Sequence, residues 1–348
     1  MVRVAPISVV IPTFRRPGAL LRCLDGIANQ DPVASEVICV VRPDDVSTRE
    51  ALADSSHASV VRVVEPTRSG LVGGLEGGAA AAGASIVAFI DDDAVPRPGW
   101  IAAIEATFAS DGRIAGVGGR DWVYVDGALI SVPQCRFLRR STADLPVGRV
   151  AWTGRLRGNH HLGTGEPRDV DVLKGANMAF VRSRLLDVGF DPELRGSASQ
   201  VHNELWPCLA LKRMGCRLVY DPRIGVDHFV QPRPGADHRE VWGVQAVFDA
   251  TFNEARAVFR HRGLSGRLTA LVWGLAVGTG RSPGLVQVAR LKIRRSSNVW
   301  PRFLASAGAR LSAYMSLRHA GGRRSHRSPL NRRGPAQREA PAKPDGPS

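Results

Sequence analysis

Three consecutive carboxylates, Asp91-Asp92-Asp93, follow directly on the run Ile86-Val87-Ala88-Phe89-Ile90. The apolar run predicts a buried strand, which puts the carboxylates at its carboxyl end. Burying an unpaired carboxylate costs several kcal/mol, so three neighbours call for solvent, cations or a bound metal. In open α/β sheets, ligands bind in the crevice outside the carboxyl ends of the strands. An acidic cluster placed there can hold a hard divalent cation, and that cation can hold a phosphate. Taken alone, the triplet reads equally as a solvated acidic turn. Further candidate groups are Asp44-Asp45, whose Pro-Asp-Asp order also suits a turn, and Glu204, whose place at the head of a helical run suits a carboxylate facing the macrodipole. A lone His228 follows the last core strand.

The elements that must position these groups alternate along the chain. Residues 7–11 form a strand stopped by Pro12, and Ala19, Leu20, Cys23, Leu24 and Ile27 then recur at helical spacing. Strands at 36–41, 60–64 and 86–90 are separated by helices at 47–53 and 75–82. Such alternation predicts βαβ units and a mostly parallel sheet. Glycines 70, 73, 74, 77 and 78 do not satisfy G-x-G-x-x-G, and GxxxxGK[ST] is absent. The glycines instead predict close packing of a helix or loop on the sheet. A helix follows Trp100. Residues 154–168, rich in Gly, His and Arg and including His160 and His161, predict a long loop of the kind that often carries function. Residues 170–173 return to strand pattern. A helix at 203–214, a strand at 217–220 and helices beyond 241 complete the pattern.

The chain has 348 residues, 44% hydrophobic, with a net charge of +15. That composition suits a globular protein of about two domains. From Arg281 onward, 13 Arg and 2 Lys face only Glu339 and Asp345, so +13 of the charge lies there. This fits attraction to an anionic membrane surface, at roughly 1 kcal/mol per basic side chain, or non-specific contact with nucleic acid. Cys23, Cys39, Cys135, Cys208 and Cys216 show no CxxC spacing. They predict a reduced, cytoplasmic protein without a disulfide framework or cysteine zinc site. A strand near the N-terminus predicts no signal peptide. The longest apolar stretch, residues 268–280, falls short of the ~20 residues that span a bilayer.

Read in order, five segments closely resemble a family 2 glycosyltransferase with the GT-A fold. They are Val9-Val10-Ile11-Pro12-Thr13-Phe14-Arg15-Arg16; Val40-Val41-Arg42-Pro43-Asp44-Asp45; Phe89-Ile90-Asp91-Asp92-Asp93-Ala94-Val95-Pro96, like a D-x-D motif; Leu173-Lys174-Gly175-Ala176-Asn177-Met178-Ala179-Phe180 with Gly189-Phe190-Asp191; and Asn203-Glu204 with Tyr220-Asp221-Pro222 and Val226-Asp227-His228. The resemblance covers residues 5–230. It implies an α/β fold with a Rossmann-like mixed sheet and an inverting transfer of a sugar from a nucleoside diphosphate to a glycan or lipid-linked acceptor, assisted by Mg²⁺ or Mn²⁺. By this resemblance Pro12, Thr13, Arg15 and Asp45 contact the nucleotide, and one of Asp91 and Asp92 faces the ribose. Asp93 and His228 are the implied metal ligands, and Lys174, Gly175 and Asn177 line the sugar side. The family commonly carries Glu-Asp where this chain has Asn203-Glu204, which makes Glu204 the candidate base.

The expected organisation is a catalytic domain at 1–240, a basic, helical, amphipathic extension at 241–320, and a disordered basic tail at 321–348. Leu268, Leu271, Val272, Leu275 and Ala276, then Leu285, Val288, Ala289 and Ile293, recur at helical spacing among cations. This predicts either helices lying on the inner face of the plasma membrane or helices packed on the catalytic core. Two other functions stay open here: a non-catalytic sugar-nucleotide or glycan binder, and a nucleic-acid binder using the basic segment.

Overall fold

The structure is a computed structural model that describes residues 5–129, 145–196, 200–230 and 243–320. Its centre is an eight-stranded mixed sheet. Strands β1 (Ile7–Thr13), β2 (Glu36–Val41), β3 (Val61–Val64) and β4 (Ile86–Ile90) run parallel in the order β3-β2-β1-β4. Helices α1 (Pro17–Ala28), α2 (Val46–Ala53) and α3 (Leu71–Ala81) connect them. Beyond the short strand β5 (Ala94–Pro96), helix α4 (Trp100–Ser110) leads to β6 (Ile114–Gly118). Then come β7 (Asp121–Val125), β8 (Ala128–Leu129), β9 (Arg149–Val150), β10 (Leu156–Arg157), β11 (Arg168–Asp169) and β12 (Asn177–Val181). The sheet-bearing half closes with α5 (Arg182–Val188), α6 (Leu205–Arg213), β13 (Arg217–Tyr220) and β14 (Val226–Phe229). Antiparallel β12 pairs with β4 and β6, and β13 and β11 continue the sheet outward.

Both faces of the parallel strands are covered, which explains their unbroken apolar runs. Successive side chains of β1 point to opposite faces. Val9 and Ile11 join the core formed with Leu20, Leu24, Trp100 and Ile104, and Val10 joins Leu75, Ala79, Phe89 and Phe180 on the other face. Helix α3 lies close over β1 because it presents glycine there. A Cβ on Gly78 would stand 2.1 Å from Val10 Cγ1, and one on Gly74 would stand 3.1 Å from Pro12 Cβ.

A second sheet, in the order β5-β14-β7-β8, leaves the first at the carboxyl end of β4. Asp91-Asp92-Asp93 is therefore a turn between two sheets. Residues 170–173 do not form the expected strand: the Asp171 and Val172 amides both donate to the Gly148 carbonyl. The segment from 154 to 168 is mostly loop, but Tyr220 Oη donates to the His160 and Gly163 carbonyls and pins it.

The C-terminal helices are α7 (Val244–Arg260), α8 (Leu264–Ala276), α9 (Leu285–Ile293) and α10 (Val299–Ala320). Helix α7 is bonded to the sheet-bearing half. Arg256 Nε donates to Asp191 Oδ2 at 2.8 Å with both side chains buried, and Asn253 bonds the backbone of Arg195 and Val201. The expected boundary near residue 240 and the tail at 321–348 lie outside the described residues. Among the described residues no helix is long and apolar enough to cross a membrane.

Candidate active site

The site grows from the register of the second sheet. Strand β14 sets His228 opposite Ala94 of β5 and lies parallel to β7, with Val226 opposite Asp121. The Phe229 amide donates to the Asp93 carbonyl at 2.8 Å. His228, Asp93 and Asp121, far apart in sequence, are thus held by backbone ladders.

The charges in this corner are matched in pairs. Asp92 is fully buried and turns inward, where Thr13 Oγ1 donates to it at 2.7 Å and the Arg16 guanidinium pairs with it. Burial outweighs Arg16 and pushes the Asp92 carboxyl up to about 7. Arg16 also donates to Asp93 Oδ2 at 2.7 Å, and His228 Nε2 stands 3.2 Å from Asp93 Oδ1. Asp121, wholly buried, pairs with Lys174 and lies 3.8 Å from His228 Nδ1. Against the upward push of burial, Lys174 and His228 hold Asp121 well below the usual carboxylate range. Burial likewise opposes charge on His228, but Asp121 and Asp93 outweigh it and raise the imidazole to about 9.

These residues fit a divalent cation. One ligand atom from each of Asp91, Asp93 and His228 lies within 4.8 Å of the others. Two carboxylate oxygens and an imidazole nitrogen suit Mg²⁺ or Mn²⁺, whose opposed ligands stand about 4.2 Å apart. The surroundings already concentrate positive charge, on Arg16 and protonated His228, against the same carboxylates. A cation would replace that proton.

Glu204 precedes α6, where a carboxylate also faces the positive end of the helix dipole, but its side chain makes no capping hydrogen bond. It is 16% exposed, and burial raises its carboxyl above the ordinary value against the pull of His202 and Lys174. A Cβ on Gly175 would lie 3.9 Å from Glu204 Oε2 and 3.7 Å from Asn203 Oδ1. The absence of a side chain there keeps the space beside the carboxylate open. His202, in the left-handed region at φ +69°, stands between two acids. Its Nδ1 is 4.0 Å from Glu204 Oε1 and its Nε2 is 3.8 Å from Glu254 Oε2 of α7.

A cavity of about 730 Å³ joins these groups. Asp91, Lys174, Gly175, Glu204 and His228 line it, joined by Glu254 of α7 and by Arg281 from the connection between α8 and α9. Asp93 adjoins it through His228. The remaining expected contacts lie elsewhere. Pro12 is half-buried near Gly74. Arg15 is exposed on the Phe14 ring, 3.8 Å from Asp44. Asp45 is buried and accepts from the Arg15 amide at 2.5 Å and from Thr48 Oγ1 at 2.8 Å, so it shapes its turn. Asn177 accepts from Trp100 Nε1 at 2.9 Å and donates to the Ile224 carbonyl at 2.8 Å. Thr13, Asp45, Asp92 and Asn177 thus have polar side-chain atoms bonded inside the fold. Sequence reasoning missed Arg16, Asp121 and His202. Arg16 ends a quoted motif and His202 adjoins one, whereas Asp121 carries no local signal.

The sequence family described as Glycosyltransferase like family 2 matches residues 5–244. No curated protein matches the chain. Among solved structures, GalNAc-T7 with UDP, GalNAc and Mn²⁺ is similar at a TM-score of 0.55 and 17% identity, covering 74% of this chain and 48% of its own. This chain thus spans about half the length of that enzyme. The mannosyltransferase PcManGT from Pyrobaculum calidifontis, with GDP-Man and Mn²⁺, is similar at a TM-score of 0.50 and 18% identity, covering 92% of this chain and 89% of its own. Both likenesses are of fold, which is GT-A.

Proposed function

Because the chain belongs to the family 2 glycosyltransferases, we propose that it transfers a sugar from a nucleoside diphosphate, with inversion, to a hydroxyl of a glycan or lipid-linked acceptor. The observation that carries this reading is the shared cavity, which brings Glu204 to the same space as Asp91 and His228. Asp91, Asp93 and His228 would hold Mg²⁺ or Mn²⁺. When bound, the cation supplies Lewis-acid stabilisation of the diphosphate as its charge grows.

The chain's own residues do the rest. Lys174 adds positive charge on the sugar side while anchored to Asp121. Glu204 takes the proton of the acceptor hydroxyl as its oxygen bonds to the anomeric carbon and the bond to the diphosphate breaks. Its raised affinity for protons, from burial, suits a general base. A single displacement inverts the anomeric carbon. Exposed Leu268, Val272, Leu285 and Ile293 among the arginines of α8 and α9 support peripheral attachment to a membrane. A non-catalytic binder would have no use for a base beside the cation cluster.

The test is a thermal-shift panel of UDP, GDP and dTDP sugars with and without Mn²⁺, followed by Glu204→Gln. The expected result is a metal-dependent shift from one nucleotide, retained in the variant, with transfer lowered about 10²–10⁴-fold. A panel without any metal-dependent shift rejects the reading.

A further inference from the structure

Next to the main cavity lies a second one of about 300 Å³, between α8, α9 and the turn that joins β9 to β10. Arg155, Thr279 and Gly280 line both cavities, so the two spaces adjoin. Among the described residues, the wall of the second cavity carries Arg155, Arg290 and Arg294 and no carboxylate. Among the described residues these three guanidiniums make neither an ion pair nor a side-chain hydrogen bond. Gln287, Arg290, Leu291 and Arg294 all line it, at the i, i+3, i+4 and i+7 spacing of a single helix face. Like charges four residues apart on a helix repel. The helix C-terminus offsets part of that repulsion, but it explains neither Arg155, brought from another element, nor the cavity between them. Trp273, Val277 and Leu291 supply an apolar wall beside the cations.

We propose that this second cavity is an acceptor subsite for a phosphate or diphosphate group. The proposal rests on the transferase reading and narrows it: the acceptor sets a hydroxyl beside Glu204 and an anionic phosphate among Arg155, Arg290 and Arg294. Guanidinium forks bind phosphate oxygens in pairs, and Gln287 adds a neutral donor. Such a phosphate belongs either to a lipid-linked acceptor or to a soluble phosphorylated one.

Calorimetric titration of the full chain in EDTA, with the aspartate cluster free of cation, uses three probes: sodium pyrophosphate, farnesyl diphosphate and farnesol. The expected result is that farnesyl diphosphate binds and farnesol does not, and that Arg290→Ala/Arg294→Ala weakens diphosphate binding by about tenfold or more, with Lys at both positions recovering part of it. Farnesyl diphosphate binding at least tenfold tighter than pyrophosphate supports a lipid phosphate, and equal binding of the two supports a soluble one. Farnesol binding as tightly as its diphosphate, or a double alanine variant binding like the wild type, overturns the subsite. Binding of UDP and GDP with Mn²⁺ is measured on the same variants and is expected to be unchanged. If the wild type binds no nucleotide but the arginines still govern diphosphate binding, the transferase reading falls and the anion site stands. If nucleotide binds and the arginines are silent, the reverse holds.

Discussion

Charge is handled in opposite ways at the two ends of the ligand space. At the carboxyl end of β4, Asp92, Asp93 and Asp121 are buried, and Arg16, His228 and Lys174 answer them. Along α9, the arginines are exposed and, among the described residues, have no carboxylate beside them in their cavity. Buried, paired charges are fixed in place, and removing one partner strands the other at a cost of about 3–5 kcal/mol. Exposed cations alter stability little but stay available to a ligand, and salt screens them. The first arrangement suits holding a metal and a leaving group in one geometry. The second suits capture of a varied acceptor.

The sharpest way to break this contrast is at Asp93. Asp93→Asn is expected to lower transfer by about 10³-fold, several kcal/mol of charge stabilisation, and to abolish the Mn²⁺-dependent thermal shift. Transfer within tenfold of wild type would remove the aspartate turn from the site. Next in size is the acid limb of the pH profile. As the proposed base, Glu204 must be ionised to take a proton, and burial raises its carboxyl. Transfer should therefore fall as pH drops through a midpoint above the ordinary glutamate value of about 4.3, and that limb should vanish in Glu204→Gln. A wild-type midpoint at or below the ordinary value would contradict the buried base.

Asp121→Asn tests whether the paired end is as rigid as its burial suggests. It strands Lys174 and His228, and urea unfolding should show a loss of about 3 kcal/mol. A loss below 1 kcal/mol would mean the corner relaxes. The smallest stability effect belongs to Arg290→Ala/Arg294→Ala, within about 0.5 kcal/mol of wild type. A large loss there would make α9 a structural brace and erase the contrast.

Much of this was legible in the sequence, for reasons that particular residues make plain. Strands β1, β2 and β4 announce themselves because burial on both faces demands unbroken apolar runs. The aspartate turn stands out because three adjacent carboxylates closing an apolar run call for solvent, cations or a metal, though only the order of the other motifs separates it from a solvated turn. The second sheet was hidden: β5 is three residues long and its partner β14 lies about 130 positions away, so neither has a local pattern strong enough to read. Asp121 was hidden with it, since its importance comes from the register that sets it near His228 and Lys174. Asn177 shows the converse. It sits in a pocket-like Lys-Gly-Ala-Asn run, yet Trp100 and the Ile224 carbonyl, brought by other elements, engage its amide. Residues 170–173 alternate like a strand, but Gly148 draws both central amides away from a ladder.

Helix α7 is fastened to the catalytic half through Arg256, Asp191 and Asn253, and it also brings Glu254 to the cavity wall. The C-terminal helices are therefore not an independent module that could be trimmed away, because a cut before α7 would leave Asp191 buried without its cation. They are better viewed as an exchangeable half of one container. If α9 carries the proposed acceptor subsite, a chimera that keeps α7 and its fastenings but takes α8 and α9 from another family member is expected to inherit its choice of acceptor from those helices and its choice of donor from the sheet.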